Sequence, residues 1–215
     1  MSLTLFYDLL IACGETLYMV AISTLLAVLL GLPLGTLLFS SAKIKPHPRL
    51  NRAIAGLINF SRSIPFIILL VALIPVTRLL VGTSIGINAA IVPLTLGAAP
   101  FFARLVDNIY RNLPKGLIET GFSMGTTSWQ MIRHILLPEA FPALIQAITV
   151  TAITLVNYSA MAGTVGGGGL GDLAIRYGYQ RFNLSIMLST VVLLVIIVQL
   201  LQAGGDRLAN HYSHA

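Results

Sequence analysis

The sequence predicts an all-α membrane protein with five transmembrane helices, and three observations carry that reading. Of 215 residues, 56% are hydrophobic and only 9% are charged, where a soluble domain carries about 25% charged residues. The apolar residues gather in runs of the length that crosses a bilayer, about 20 residues each. The basic residues are sorted between alternate loops. Lys43, Lys45, Arg49, Arg52, Arg104, Arg111, Lys115, Arg133 and Arg207 fall in one set of regions, and Arg78, Arg176 and Arg181 in the other. By the positive-inside rule the first set is cytoplasmic, which gives five spans with the N-terminus out and the C-terminus in.

The chain 1–215 reads as one transmembrane domain without internal repeats. Leu3 to Cys13 is apolar but too short to span, and Asp8 interrupts it, so it is expected to be an interfacial helix before the first span. Leu17 to Phe39 is that span, with Gly31 and Gly35 at a small-xxx-small spacing that lets a neighbouring helix approach closely. Ser40 to Arg52 is a basic loop marked by Pro46 and Pro48. Ile54 to Val76 is the second span. Arg62 lies in its first turns, where a long cationic side chain snorkels to the inner surface. Arg78 to Gly86 is a short outer loop, and Ile87 to Val106 is a third span carrying Pro93, Gly97 and Pro100. Each of these prolines frees a carbonyl that protein or water must satisfy, which suits a kinked helix near a pathway or a bent packing helix alike. Phe141 to Met161 is the fourth span, Gly163 to Asn183 a glycine-rich outer segment, and Leu184 to Ala203 the last span before an inner tail from Asp206.

Several function classes fall away. The net charge of +6 is spread over loops between apolar runs, which is topology and not a nucleic-acid-binding face. With Cys13 alone there is no internal disulfide, and His47, His134, His211 and His214 sit in loops or tail without metal-ligand spacing. Met1 to Ala12 lacks the basic stretch of a secretory signal, so the first segment is expected to stay attached. Gly166-x-Gly168-x-x-Gly171 has the dinucleotide spacing, but no strand precedes it; close backbone packing is the expected use of those glycines. No Gly-x4-Gly-Lys-Ser/Thr occurs, so neither ATP nor any other cofactor is expected to bind this chain. The acids Asp8, Glu15, Asp107, Glu119, Glu139, Asp172 and Asp206 all fall at span ends or in loops. Ion-coupled carriers need an ionisable group within the membrane, which weighs against one here.

The segment from Glu119 to Pro138 is polar between apolar neighbours, yet patterned. Pro114 opens a short helix, and Gly125 breaks it as a residue free to take positive φ does. Thr127-Ser128-Trp129-Gln130 has the spacing of a capping box, which starts a second helix. Trp129, Ile132 and Leu136 follow at helical spacing, and Pro138 is expected to stop it. Two short helices with a tight turn form a handle for another protein.

This spacing closely resembles the cytoplasmic loop of bacterial ABC importer permeases: Glu-Ala-Ala, three residues, Gly, nine residues, then Ile-x-Leu-Pro. Glu119, Gly125, Ile135, Leu137 and Pro138 match it, while Thr120 and Gly121 replace the two alanines. Further stretches resemble one branch of that family, the methionine importers. They are Ser61 to Leu70, Val81 to Gly86, Ala89 to Thr95, Asn157 to Gly163 and Gly168 to Gly171, with Asn157 standing where relatives carry glycine. The likeness covers nearly the whole chain and is weakest at both ends.

The resemblance implies a multi-pass bacterial inner-membrane permease that works as two identical chains. Its partners would be a cytoplasmic ATPase dimer that binds ATP and Mg, an external substrate-binding lipoprotein and the surrounding lipid. The cargo implied is methionine, with either enantiomer and derivatised forms left open. Residues about 113–140 would be the coupling loop, with Glu119 touching the ATPase and Gly125 permitting the turn. Trp129 and Ile132 either enter the ATPase cleft or pack back on their own membrane helices. The gate would lie at Asn157, Tyr158, Ser159 and Met161. The competing readings are a permease for another amino acid or small peptide, an ATP-independent secondary transporter, and a structural subunit that only anchors an ATPase.

Overall fold

A computed structural model of the protein describes residues 3–213, and among them every regular element is helical. Helix α1 runs unbroken over Leu3–Lys43. The expected interfacial segment is therefore the first part of the spanning helix. Gly14 sits in the helix interior, where glycine costs only about 1 kcal/mol relative to alanine, and Glu15 is used as a cap for another element. Glu15 Oε2 accepts from the Gly169 N–H at 2.7 Å and Thr16 Oγ from the Leu170 N–H at 2.9 Å.

Helix α2 spans Pro48–Ser63, α3 Phe66–Ala72 and α4 Ile74–Val81. Pro48 occupies the first helical position, where its missing N–H costs nothing. The single straight span expected over Ile54 to Val76 is not formed: the axes of α2 and α3 differ by 101°. Pro65 is the cause. It drives Ile64 to φ −87, ψ 124, outside the helical region, as a residue before proline prefers. Arg78 belongs to α4 and not to a loop.

Helix α5 spans Ile87–Asn112 and passes through Pro93 and Pro100 without a break. Helix α6 is short, Lys115–Ser123. Helix α7 spans Ser128–Gly163, and α8, Gly169–Leu173, continues into a π-helical turn, Ala174–Tyr179. Helix α9 runs over Leu184–Ser213, so the expected tail from Asp206 is helical as far as Ser213; His214 lies outside the described residues. Among the described residues four helices (α1, α5, α7 and α9) are long and apolar enough to cross a membrane, and the bent pair α2–α3 makes a fifth candidate.

The buried contacts form two main groups. Near the glycine-rich end, Met19, Ala27, Leu94, Ala98, Leu155 and Leu170 join α1, α5, α7 and α8. At the basic end, Phe39, Phe102, Val106, Tyr110, Met131 and Leu136 join α1, α5 and the start of α7. Gly31 and Gly35 lie between α1 and α5: a β-carbon on Gly31 would stand 2.7 Å from the Ala99 carbonyl oxygen, and one on Gly35 would stand 2.7 Å from the Val106 β-carbon. The close approach expected from their spacing is present. Near the basic end Asp107 is wholly buried, accepting from Arg104 Nη1 at 3.1 Å and Arg111 Nε at 3.0 Å. Arg104 Nη2 donates onward to Asn59 Oδ1 at 2.7 Å, tying α5 to α2. A buried carboxylate is tolerated only with such pairing.

Candidate functional site

The loop 113–140 is built as a soft tip on a buried base. Pro114 caps α6, and the backbone at Gly125 takes φ +71, the left-handed region that favours glycine. Thr127 then forms the expected capping box: its Oγ accepts from the Gln130 N–H at 3.3 Å, and Gln130 Oε1 accepts from the Thr127 N–H at 2.9 Å. The second helix does not stop at Pro138. Residues Met131–Leu136 form a π-helical turn in which the Leu137 N–H donates to the Ile132 carbonyl, and α7 continues through the proline to Gly163. Proline lacks an N–H and its ring crowds the preceding turn. The wider turn just before Pro138 accommodates both effects.

The base is anchored by Met131 and Leu136, both fully buried against Phe39, Phe102 and Tyr110. Ile118, Ile132, Ile135 and Leu137 pack on the same cluster. Of the two placements open for Trp129 and Ile132, Ile132 packs back on the membrane helices, whereas Trp129 is 66% exposed. Gly121 is buried beneath Met131: a β-carbon there would come within 2.8 Å of its sulfur and 2.9 Å of Ile135 Cδ1. The absence of alanine at this position thus goes with the bulk of Met131. Glu119 and Pro138 are exposed. So are Phe122 and Met124, which the sequence reading did not place at the tip and which lie in the turn that Gly125 makes.

The four residues expected at the gate do not share one surface. Ser159 is buried, and its hydroxyl donates to the Val156 carbonyl of its own helix at 2.7 Å. Asn157 and Met161 are exposed one turn apart, and Asn157 lines a groove with Leu194, Val198 and Gln199 of α9. Tyr158 points elsewhere. Its ring stacks on Phe66 of α3, centroids 4.2 Å apart and 3° from parallel, and lines a cavity with Ser61, Arg62, Gly97 and Phe101. Pattern in the sequence could not connect Arg62 with Tyr158, because the bend at Pro65 is what brings them together.

The glycine-rich segment packs as expected from close backbone contact. A β-carbon on Gly167 would stand 2.8 Å from the Ala162 carbonyl oxygen, and the Gly86 N–H donates to the Gly166 carbonyl at 2.9 Å. Beyond it Asp172 accepts from Arg176 Nε at 2.8 Å, and this hydrogen bond raises the Arg176 guanidinium above its ordinary pKa. Among the described residues no His, Cys, Asp and Glu cluster is arranged for a metal.

A family model for binding-protein-dependent transport system inner membrane components matches residues 27–214. The chain belongs to this family. It is a multi-pass inner-membrane permease component. A probable D-methionine transport system permease protein, MetI, of Vibrio cholerae serotype O1 is 52% identical over 208 residues, covering 96% of this permease and 92% of its own length. The D-methionine transport system permease protein MetI of Escherichia coli K12 is 53% identical over 151 residues, 69% of this permease and 70% of its own length. A chain from inward-facing conformations of the MetNI methionine ABC transporter superposes with a TM-score of 0.97 at 49% identity, covering 99% of both chains. A chain of an amino acid ABC transporter crystallised with histidines shares the fold, with a TM-score of 0.70 at 16% identity over 98% of this permease and 92% of that chain.

Proposed function

We propose that this permease carries methionine inward as the membrane subunit of an ATP-driven importer, paired with a second copy of itself and driven by a separate ATPase. The observation that carries this reading is the near-complete likeness to a chain of a methionine ABC transporter, at 49% identity over 99% of both chains. Hydrolysis belongs to the partner, which binds ATP and Mg, and this chain supplies the path. An external binding lipoprotein delivers the cargo at the glycine-rich end, and lipid surrounds the apolar helix faces.

The loop 113–140 is the coupling element in this reading, with the C-terminus on the same, cytoplasmic side. Its construction supports that role. The exposed Phe122, Met124 and Trp129 offer apolar anchors to an ATPase cleft, and Glu119 a polar contact. The buried Met131 and Leu136 pass movement of the tip directly to α7 and α5. Interfaces of this kind switch between discrete packings and do not deform continuously.

Along α7, Gln146, Val150, Asn157 and Met161 form an exposed stripe at helical spacing, which supports a facing second copy across the pathway. Met161 is assigned there as a flexible apolar plug. Met161→Ala is expected to raise ATP-independent efflux of preloaded methionine severalfold from vesicles; unchanged leak and unchanged transport would remove Met161 from the gate. The substrate itself is tested by uptake of labelled methionine in cells lacking other methionine transporters. Deletion of the gene should abolish uptake and the wild-type gene restore it. Loss of uptake on ATP depletion, with ion gradients clamped, separates this importer from a secondary carrier. Unchanged uptake on deletion would overturn the methionine assignment.

A further inference from the structure

Arg62 occupies a different place from the one its position in the sequence suggests. It is the penultimate residue of α2, which begins at Pro48, so it lies roughly 21 Å along that helix at 1.5 Å per residue. Its cavity is walled by Gly97 and Phe101 of α5. These lie roughly 15 and 21 Å along a helix roughly 39 Å long, near its middle. Arg62 is therefore level with the middle of α5, on the exposed side of this chain's helices.

Among the described residues the Arg62 guanidinium has no carboxylate partner: the ion pairs are Arg104 and Arg111 with Asp107, and Arg176 with Asp172. The cavity it enters has a volume of about 180 Å³ and is bounded on one side by the stacked Phe66 and Tyr158 rings. Ser61 stands beside it. Its hydroxyl donates to the Leu57 carbonyl at 2.9 Å, which leaves its lone pairs to accept a hydrogen bond. A cation at this level of a membrane bundle, exposed from its own chain and without a carboxylate partner, is kept where it meets a ligand or pathway. Guanidinium suits a planar carboxylate, which it grips with two parallel N–H bonds. Aromatic rings suit both a thioether and an ammonium group. Those are the three parts of a zwitterionic amino acid with a sulfur-bearing side chain.

We infer that the cavity at the α2–α3 bend is a cargo subsite inside the membrane, where Arg62 pairs with the α-carboxylate of the amino acid in transit. Ser61 accepts from its ammonium group, and the Phe66–Tyr158 stack forms the wall against which the side chain slides. The site is partial and shallow, as a transport intermediate requires: it replaces the hydration of the carboxylate without holding the cargo. This inference rests on the amino-acid import reading above.

The test uses the complete transporter with its ATPase in proteoliposomes, supplied with the loaded binding protein. Arg62→Gln should lower methionine uptake at least tenfold at saturating binding protein, and Arg62→Lys, which keeps the charge but loses the fork, should recover part of it. Co-purification of the ATPase with each variant checks that the complex assembles. An assembled Arg62→Gln complex with uptake within twofold of wild type would overturn the inference. Equal loss in the Gln and Lys variants would also overturn it, since a purely steric or packing role predicts that result. A wild-type complex that carries another amino acid and not methionine would overturn the methionine assignment alone. The Arg62 comparison is then read on the amino acid carried, whose carboxylate is the same.

Discussion

Replacing Gly125 with leucine should uncouple ATP hydrolysis from uptake while leaving the chain in the membrane. Gly125 holds φ +71, and no atom lies within 4 Å of where its β-carbon would be. The substitution therefore meets no steric barrier from neighbours, and its cost is conformational, about 1–2 kcal/mol for an L-residue in the left-handed region. That cost falls on a turn held by few bonds: Gly125 N–H to the Phe122 carbonyl at 3.0 Å, Thr126 N–H to the Gly121 carbonyl at 3.2 Å, and Thr126 Oγ to the same carbonyl at 2.9 Å. A penalty of one to two kcal/mol lowers the ratio of native to altered tip by roughly five- to thirtyfold. Uptake should fall by up to that factor, because the altered tip would no longer present Met124 and Trp129 together. The base, with Met131 and Leu136 buried, should stay folded. ATPase rate and methionine uptake measured on the same proteoliposomes check this. Normal uptake at equal expression would remove the lever role from the loop.

Two prolines show why part of this fold was legible in the sequence and part was not. The sequence reading carried a helix through Pro65 and ended one at Pro138, and the structure does the reverse. Both prolines impose the same local penalty on the preceding residue. At Pro65 the chain yields, with Ile64 at ψ 124, because α2 and α3 have different partners: α2 is pinned by Ile54 and Ile58, α3 by Phe66 and Leu70. At Pro138 the chain does not yield, with Leu137 at φ −66, ψ −46. Leu136 and Ala140 on either side are buried in one cluster, and a π-helical turn absorbs the missing donor. Tertiary contacts from α1 and α5 make that choice, and no local pattern contains them. Where the signal was local it held: the capping box at Thr127, the positive φ at Gly125 and the glycine spacing at Gly31 and Gly35 are all present.

The candidate functional residues divide the same way. The turn at Gly125 and the cap at Thr127 followed from spacing, because both are local arrangements. The surroundings of the residues expected at the gate did not, since one helix shows three different environments within five residues. Ser159 turns into the bundle, Asn157 and Met161 face away from it, and Tyr158 stacks on a ring from α3. Arg62 comes to stand beside Gly97 and Phe101 of α5 while staying exposed, because the bend at Pro65 is invisible to a count of apolar residues.

The glycine contacts between α1 and α5 give the largest expected effect on stability. A β-carbon on Gly35 would meet the Ala103 carbonyl oxygen and the Val106 side chain, and backbone cannot rotate out of the way as a flexible side chain does. Overpacking a filled interior typically costs about 1–3 kcal/mol, and valine at this position should fall at the upper end. A loss of about 3 kcal/mol lowers the unfolding midpoint by roughly 6–12 °C in a chain of this size. Gly56 in α2 is the matching control, since nothing lies within 4 Å of its β-carbon position. There alanine removes helix-interior glycine and should stabilise by about 0.5–1 kcal/mol. The two substitutions therefore move the midpoint in opposite directions although both add carbon to a helical glycine. Thermal unfolding of the detergent-solubilised protein measures both. A Gly35→Val midpoint equal to wild type would mean that α1 and α5 separate at little cost, and the close α1–α5 seam would lose its place as the axis on which the bundle is assembled.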